Sequence, residues 1–187
     1  MKNTWVGVMA VMRTDGPSLS GSASETSILP VSDKWIIPAL SLDIGRAIRL
    51  TLFGRLSNIV TTPGTLQIKM KFGSVAVWDS GTMQMSSTAH TTVPFWFQAL
   101  SICRAIGNST NANMFSQGFA HSQVLSLTAV ADSTTTPANL LAPNSTPAVS
   151  SGFDSTVDNT VDVTAQFSVN NGGNLIQVHG GLIEWLN

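Results

Sequence analysis

The side chains that could act as nucleophiles, general bases or metal ligands are few and widely spaced. The single cysteine, Cys103, lies in the apolar run PFWFQALSICRAI and is expected to be a small buried residue. The three histidines, His90, His121 and His179, lack the short H-x-H or H-x-x-x-H spacing that favours a metal site. His90 is predicted in a loop and His179 on a strand face, so a shared site would require the fold to bring them together.

Acidic residues provide no stronger basis for catalysis. A glycosidase requires two carboxylates about 5 to 10 Å apart, and no motif surrounds the positions that could supply them: Asp79, Asp132, Asp154, Asp158, Asp162 and Glu184. The chain also lacks a G-x-S-x-G nucleophile elbow and a D-x-D-x-D-G calcium loop. We therefore expect no enzymatic activity, no metal ion, no cofactor and no small-molecule substrate.

The composition indicates a full hydrophobic core and unusually little charge. Hydrophobic residues make up 43% of the 187 residues and charged residues 10%, against about a quarter in typical soluble proteins. This length predicts one domain. The net charge of −1 gives no basic field for nucleic acid, which is not an expected partner. A neutral, hydroxyl-rich surface suits a protein that packs against other subunits; an ordinary β-protein rich in Ser and Thr is the alternative.

The N-terminal residues 1–13 carry an apolar run that is too short to span a bilayer as a helix, which takes about 20 residues. No membrane segment is expected, and the RTDG that follows does not favour a cleaved signal peptide. We predict an apolar arm and a flexible connector over residues 1–25, and a β-sandwich domain over 26–187. The arm packs either on its own domain or on a neighbour. Its candidate oligomer or capsid contacts are Trp5, Val6, Val8, Met9, Val11 and Met12.

Alternating apolar and polar residues predict half-buried strands in the rest of the chain. Residues 161–169 alternate, the turn-forming residues 170–174 follow, and a return strand with a bulge at Gly180–Gly181 completes a predicted hairpin. A second hairpin is predicted where Thr61-Thr62-Pro63-Gly64 joins the alternating runs 47–60 and 65–72.

Two segments depart from simple alternation. The run from Pro94 to Ile106 is apolar on both sides, which predicts a strand buried on both faces. Residues 132–159 are rich in Ser, Thr, Pro, Ala and Asn and predict a long irregular segment that makes inter-subunit or capsid contacts.

No helical period persists, and short strands separated by frequent turns predict an all-β fold with two antiparallel sheets. A jelly-roll-like sandwich is preferred, and another Greek-key sandwich is the alternative. The aromatic residues assigned to the core are Trp35, Phe95, Phe97, Phe167 and Trp185.

Several longer runs resemble a group of tailed-bacteriophage virion proteins. They are GRLSNIVTTPGTL (54–66), KFGSVAVWDSG (71–81), TAHTTVPFWF (88–97), GFDST (152–156) and the final FSVNNGGNLIQVHGGLIEWLN. The resemblance extends over residues 35–187, so the N-terminal arm lies outside it. It implies a β-sandwich subunit of the virion, assembled in the bacterial host cytoplasm. The implied role is a trimeric cement or decoration protein outside the head, with a homotrimer and the major capsid protein as partners.

Two other virion roles are compatible with these patterns. A tail or fibre module that binds host carbohydrate would display exposed tryptophans beside Asn or Asp in a groove; Trp78 and Trp96 are the candidates, although both are expected to pack. A shell-forming jelly-roll capsid protein would instead form closed lattices from the purified chain alone.

Overall fold

Two antiparallel β-sheets face each other in the computed structural model, which describes residues 6–59, 62–126, 138–143 and 145–186. The strands, in chain order, are β1 (Val6–Val11), β2 (Leu19–Ser20), β3 (Thr26–Ser27), β4 (Trp35–Ile37), β5 (Ala47–Asn58), β6 (Thr65–Phe72), β7 (Val75–Asp79), β8 (Met83–Met85), β9 (His90–Ala105), β10 (Asn113–Ser122), β11 (Leu125–Ser126), β12 (Ala138–Ala142), β13 (Asn159–Phe167) and β14 (Leu175–Leu186). A short 3-10 helix spans Val31–Asp33. Within the described ranges, no helix is long and apolar enough to cross a membrane.

Sheet A has the strand order β1-β14-β5-β9-β10-β12, and β2 also pairs with β14. Sheet B has the order β11-β8-β6-β13-β3, with β4 on β13 and β7 on β6. The predicted all-β antiparallel sandwich is therefore confirmed. Its jelly-roll-like element is a two-stranded ribbon that passes from one sheet to the other: β5 pairs with β14 in sheet A, and β6 pairs with β13 in sheet B. The β9–β10 hairpin stays within sheet A.

Both hairpins predicted from the sequence are wrong in their pairing, although their strands form. β13 lies in sheet B and β14 in sheet A, so residues 168–174 cross between the sheets. The link from β5 to β6 makes the same crossing. Buried Asn174 joins the two crossings, since its Nδ2 donates to Pro63 O at 3.0 Å and its Oδ1 accepts from Ile59 N at 3.1 Å. The bulge is confirmed by a register shift between Val178 and Gly180.

The core lies between the inner faces of the two sheets. Of the predicted core aromatics, Trp35, Phe95, Phe97 and Phe167 are confirmed as buried. Trp185 is only partly buried and packs at the edge of the core, with the Arg46 guanidinium 4.9 Å from its ring centre. Alternation along each strand therefore leaves a second, outward set of side chains on each sheet.

The described part of the N-terminal arm packs on its own subunit, which is one of the two alternatives predicted from the sequence. β1 pairs with the C-terminal part of β14 and forms an edge of sheet A. The segment predicted as a connector lies along the sandwich: β2 pairs with β14, and Gly16 N and Gly21 N donate to Val178 O and Asn174 O, each at 2.8 Å. The carboxylate of Asp33 accepts from Arg13 N at 2.9 Å and Thr14 N at 3.2 Å, which anchors the chain just after β1.

The long segment 132–159 contains regular structure that the sequence did not predict. β12 pairs with β10 along Gly118–Ser122, so this part of the segment is an edge strand of sheet A. Farther on, Val149 bridges to Phe115 and Phe153 bridges to Ala112. Residues 132–137 and 144 lie outside the described residues.

Candidate functional site

Cys103 is buried among apolar residues on the inner side of β9, as predicted. Its Sγ lies 3.4 Å from Ala105 O. Burial raises the pKa of the thiol, because the thiolate would lose its hydration. The group is therefore placed and protonated like a small core side chain and not like a nucleophile.

The three histidines sit on different strands. His90 begins β9, so its prediction as a loop residue is wrong, while His121 lies in β10 and His179 in β14. His179 Nδ1 lies 3.0 Å from a carboxylate oxygen of Asp15. Across the described parts of the chain, no group of three or more His, Cys, Asp or Glu side chains is placed to hold a metal ion.

The outward side of β9 leads to a different kind of site. Its residues alternate strictly, with Phe95 and Phe97 toward the core and Trp96 and Leu100 outward, where these two side chains are 42% and 40% exposed. The prediction that this strand is buried on both faces is therefore wrong for the single chain. An outward apolar row can be buried by another layer of the same chain or by a partner. Among the described residues, no second layer of this chain covers it.

The strand register extends this apolar surface across sheet A. Residues directly opposite each other on neighbouring strands share a face, so the outward set follows from the pairs of β1, β14, β5, β9, β10 and β12. We call this surface face A. Its apolar members are Val6, Val8, Val11, Phe53, Trp96, Leu100, Ile102, Phe115, Phe119 and Leu141.

A groove lies on one half of face A, between β9, β10 and β12. It has a volume of about 350 Å³, and its walls include Leu100, Ile102, Phe115, Phe119 and Leu141. Leu141 is 62% exposed at its edge. A groove of this size and lining can accept one or two apolar side chains of a partner.

The other half of face A carries a row that we call the valine ridge, formed by Val6, Val8 and Val11 of β1. These side chains are 61%, 59% and 53% exposed. A β-bulge between Val8 and Ala10 keeps Val11 on the same side as Val6 and Val8, while Met9 and Met12 pack against the core. The predicted contact residues are thus divided between the two sides of β1, and Trp5 lies outside the described residues.

A single ion pair lies between the ridge and the groove among the described residues of β14 and β5. Arg49 Nε is 2.7 Å from Glu184 Oε2. This hydrogen bond holds the pKa of Glu184 below its usual value and raises the pKa of Arg49. Because these two charges are paired with each other, the strip of face A between the ridge and the groove can be covered without leaving an unpaired charge.

The outer surface of sheet B, which we call face B, is built differently. Glu25 accepts from Lys69 Nζ at 2.9 Å and from Lys71 Nζ at 2.8 Å. These bonds, Lys71 first, lower the pKa of Glu25 to about 2. Asp162 pairs with Lys34 at 2.7 Å. Face B is therefore polar and charged, as a hydrated surface usually is.

The two tryptophans considered from the sequence have different environments. Trp78 is buried as predicted, and its Nε1 donates to Ala142 O at 2.7 Å. The prediction that Trp96 packs in the same way is wrong, because it lies on face A with its ring stacked on Phe53 at a centroid distance of 5.6 Å. Phe53, Phe119 and Leu141 were not predicted as surface residues. The doubly apolar run 94–106, the apolar residues of β1 and the candidate Trp96 were the sequence signals that pointed to face A.

No family model matches the chain, and no curated protein matches it. Among solved structures, the chain is similar to the CBM2 module of the evolved Dit of Lactobacillus casei BL23 phage J-1. The sequence identity is 7%, the coverage is 99% of this chain and 98% of that chain, and the TM-score is 0.33. A similarity this weak gives no information about what this chain does.

Proposed function

We propose that this protein is a structural subunit of a tailed-bacteriophage virion that acts by assembly and not by catalysis. In this proposal it is a capsid decoration protein, which associates as a homotrimer and binds the major capsid protein on the outside of the head. The virion assignment is supported by the sequence runs that resemble virion proteins. The mode of action is supported by one observation above all, the large exposed apolar surface of face A.

Face A has the composition of an interface core. Large exposed apolar patches on soluble proteins mark interaction sites, and interface cores are rich in aromatic residues and poor in charge. Phe115 and Phe119 of the groove supply the aromatic residues. Covering such a side chain yields about 25 cal/mol per Å² of apolar surface removed from water, so a partner on face A gains free energy that one on face B does not.

The ridge and the groove suit a closed ring of identical subunits. They are different surfaces at opposite sides of face A, separated by β14 and β5. When the ridge of one copy enters the groove of the next, the contact is heterologous, and heterologous contacts generate rings when the rotation closes. Three copies around one axis are the ring that the family resemblance implies.

A decoration protein stabilises a shell by binding more than one capsid subunit. Contacts that form only on the assembled lattice add their binding free energy to that lattice. A trimer multiplies the effect, because its second and third contacts form at a high effective concentration. This mechanism needs surface complementarity and no reactive group.

Cosedimentation with capsids that lack the protein tests the proposal, together with light scattering of the free protein. We expect a discrete trimer that binds capsids saturably. A matched pair of variants assigns the contact: Val6→Ser with Val8→Ser and Val11→Ser removes the ridge while the β1 backbone pairing stays, and Ile36→Ser changes an exposed apolar residue of β4 in sheet B.

The outcomes separate the alternatives. Loss of assembly in the ridge variant alone supports the proposal. A monomer that ignores capsids overturns it and favours a tail or fibre module, and closed lattices of the purified protein favour a shell-forming role. The ridge variant is preferable to deletion of residues 1–13, since the deletion also uncovers the β14 edge and removes Met12 from the core.

A further inference from the structure

Next to the groove, the two middle strands of sheet A carry a pair of stacked aromatic rings on face A. Phe53 of β5 and Trp96 of β9 are directly opposite in the strand register. Their ring planes differ by 13°, and each side chain is 42% exposed. We call this pair the aromatic platform.

Gly180 sets the orientation of the platform. It is the β14 residue opposite Phe53, and a side chain at this position would overlap the tip of the Phe53 ring. Since the ring reaches the neighbouring strand, about 4.8 Å away, it lies along the sheet and does not stand up from it. Trp96 is nearly parallel to it and therefore lies along the sheet as well.

Hydrogen-bonding side chains border the platform on both sides along the strands. On one side, Arg55 Nη2 donates to Gln177 Oε1 at 2.6 Å. On the other side, Gln98 Nε2 donates to Thr51 Oγ1 at 3.1 Å. These pairs hold the planar amide and guanidinium groups beside the rings, and each group has further donor or acceptor capacity.

We propose that the aromatic platform binds a pyranose ring of a neutral oligosaccharide whose hydroxyl groups are equatorial. Such a sugar exposes only C–H groups on its two faces, and these weakly positive, apolar faces match the negative face of an aromatic ring. Its hydroxyl groups project from the ring edge, where Arg55, Gln177 and Gln98 can exchange hydrogen bonds with them. A flat apolar centre within a polar border fits a sugar better than it fits an apolar protein side chain.

This activity goes beyond the proposed assembly role and does not depend on it. The ridge lies on β1, and most of the groove walls lie one or more residue pairs away from Trp96 along β9 and β10. A decoration protein with this platform would add carbohydrate adhesion to the outside of the particle.

Isothermal titration with soluble oligosaccharides tests the inference. The probes are β-1,4-linked glucose and β-1,4-linked N-acetylglucosamine oligomers, with an α-linked mannose oligomer as a comparison in which axial groups interrupt the flat face. We expect at least one β-linked probe to bind more tightly than the mannose oligomer. Trp96→Ala and Phe53→Ala should weaken that binding at least tenfold, while Leu141→Ala, which alters face A outside the platform, should change it less than twofold.

Two further variants distinguish stacking from general apolar contact. Trp96→Phe keeps a flat ring and should retain part of the affinity, whereas Trp96→Leu keeps an apolar side chain and should lose as much as Trp96→Ala. Gly180→Ala should weaken binding severalfold by displacing the Phe53 ring. Light scattering on the same samples reports assembly separately. Absence of binding to every probe at millimolar concentration, or wild-type affinity in Trp96→Leu, would overturn the inference whatever the oligomeric state.

Discussion

The two outer faces of the sandwich are made by the same alternation of side chains, yet they present different chemistry. On β6 of sheet B the outward residues include Gln67, Lys69 and Lys71, while on β9 of sheet A the apolar residues Trp96, Leu100 and Ile102 stand outward with Gln98 and Arg104. The inward residues of both strands are equally buried. The core therefore requires nothing of these outward positions, and the proposed contact through face A would explain why they differ.

The distribution of charge makes face A less costly to cover than face B. Covering face B would strip water from Glu25, Lys69 and Lys71, and the desolvation of such ions costs several kcal/mol each. Between the ridge and the groove, face A has one pair, Arg49 and Glu184, whose charges balance, while Glu25 on face B is shared by two lysines, so fewer ions would lose water on face A. In the proposed assembly, these charges favour contact through face A over contact through face B.

The largest expected effect comes from placing a charge in the groove. Leu100→Lys puts an ammonium group where a partner would have to dehydrate it, so we expect assembly or capsid binding to weaken by about 100-fold or more. The free monomer should keep its melting temperature, because Leu100 is already 40% exposed. Sedimentation and thermal melting measure the two quantities.

Ile36→Lys is the matched control for this variant, since Ile36 is an exposed apolar residue on the sheet B side. Equal loss of assembly in both variants would show that association does not distinguish the two faces, which would contradict the assignment of the contact to face A.

A smaller effect is expected from breaking the pair in the middle of face A. Arg49→Met leaves the Glu184 carboxylate without its partner, which water can hydrate in the monomer but not in a covered interface. We expect assembly near neutral pH to weaken by about tenfold to 100-fold. Lowering the pH should restore it, because the unpaired carboxyl group becomes neutral.

The double variant Arg49→Met with Glu184→Met sharpens this experiment. It removes both charges together and should assemble at least as well as the wild type, since apolar replacement of a buried pair is often neutral or stabilising. Persistent weakness of the double variant would mean that this pair does not lie in the contact.

A still smaller loss of assembly should follow from placing one hydroxyl group on the valine ridge. Val8→Thr keeps the shape of the side chain and replaces a methyl group by a hydroxyl group, which costs about 1 kcal/mol, or about fivefold in affinity, if the site is covered. Titration of assembly against concentration measures it. An unchanged affinity would place Val8 outside the contact and restrict the interface to the groove.

Local sequence patterns predicted the strands better than their partners. The alternation of Val161, Val163 and Phe167 identified the buried side of β13. It could not identify its neighbour, because two strands that face each other across a core need the same alternation and reversal as two strands of a hairpin. The crossing at Asn174 depends on contacts with Pro63 and Ile59, more than a hundred residues away.

The candidate site was predictable only in part for a related reason. The apolar residues of β1 were identified as contacts, but a run of apolar letters does not state which of them face outward. Likewise, the apolar residues on both sides of β9 indicated two buried faces, and the chain itself supplies only one of them. Phe53 and Leu141 join face A through register with β9 and β10, a property that no local window contains.

A substitution on face B should have the smallest effect on assembly and a measurable effect on the stability of the fold. Glu25→Gln removes the negative charge that attracts both lysines and leaves one acceptor oxygen, so we expect the free energy of unfolding near neutral pH to fall by about 1 kcal/mol, as for exposed pairs screened by solvent. Assembly measured well below the melting temperature should not change, because face B stays in water. Urea titration compares the two proteins, and Thr26→Ala beside Glu25 serves as a control that leaves the lysine bonds in place.

The pH dependence of that difference identifies its cause. The pKa of Glu25 is lowered from 4.5 in the free side chain to about 2 in the fold, so its stabilisation is complete above 4.5 and is lost as the pH falls toward 2. The stability difference between wild type and Glu25→Gln should therefore shrink through this window and vanish at its lower end. A difference independent of pH would attribute the loss to packing of the Glu25 side chain, and the description of face B as a charge-stabilised hydrated surface would have to rest on Lys34 and Asp162 instead.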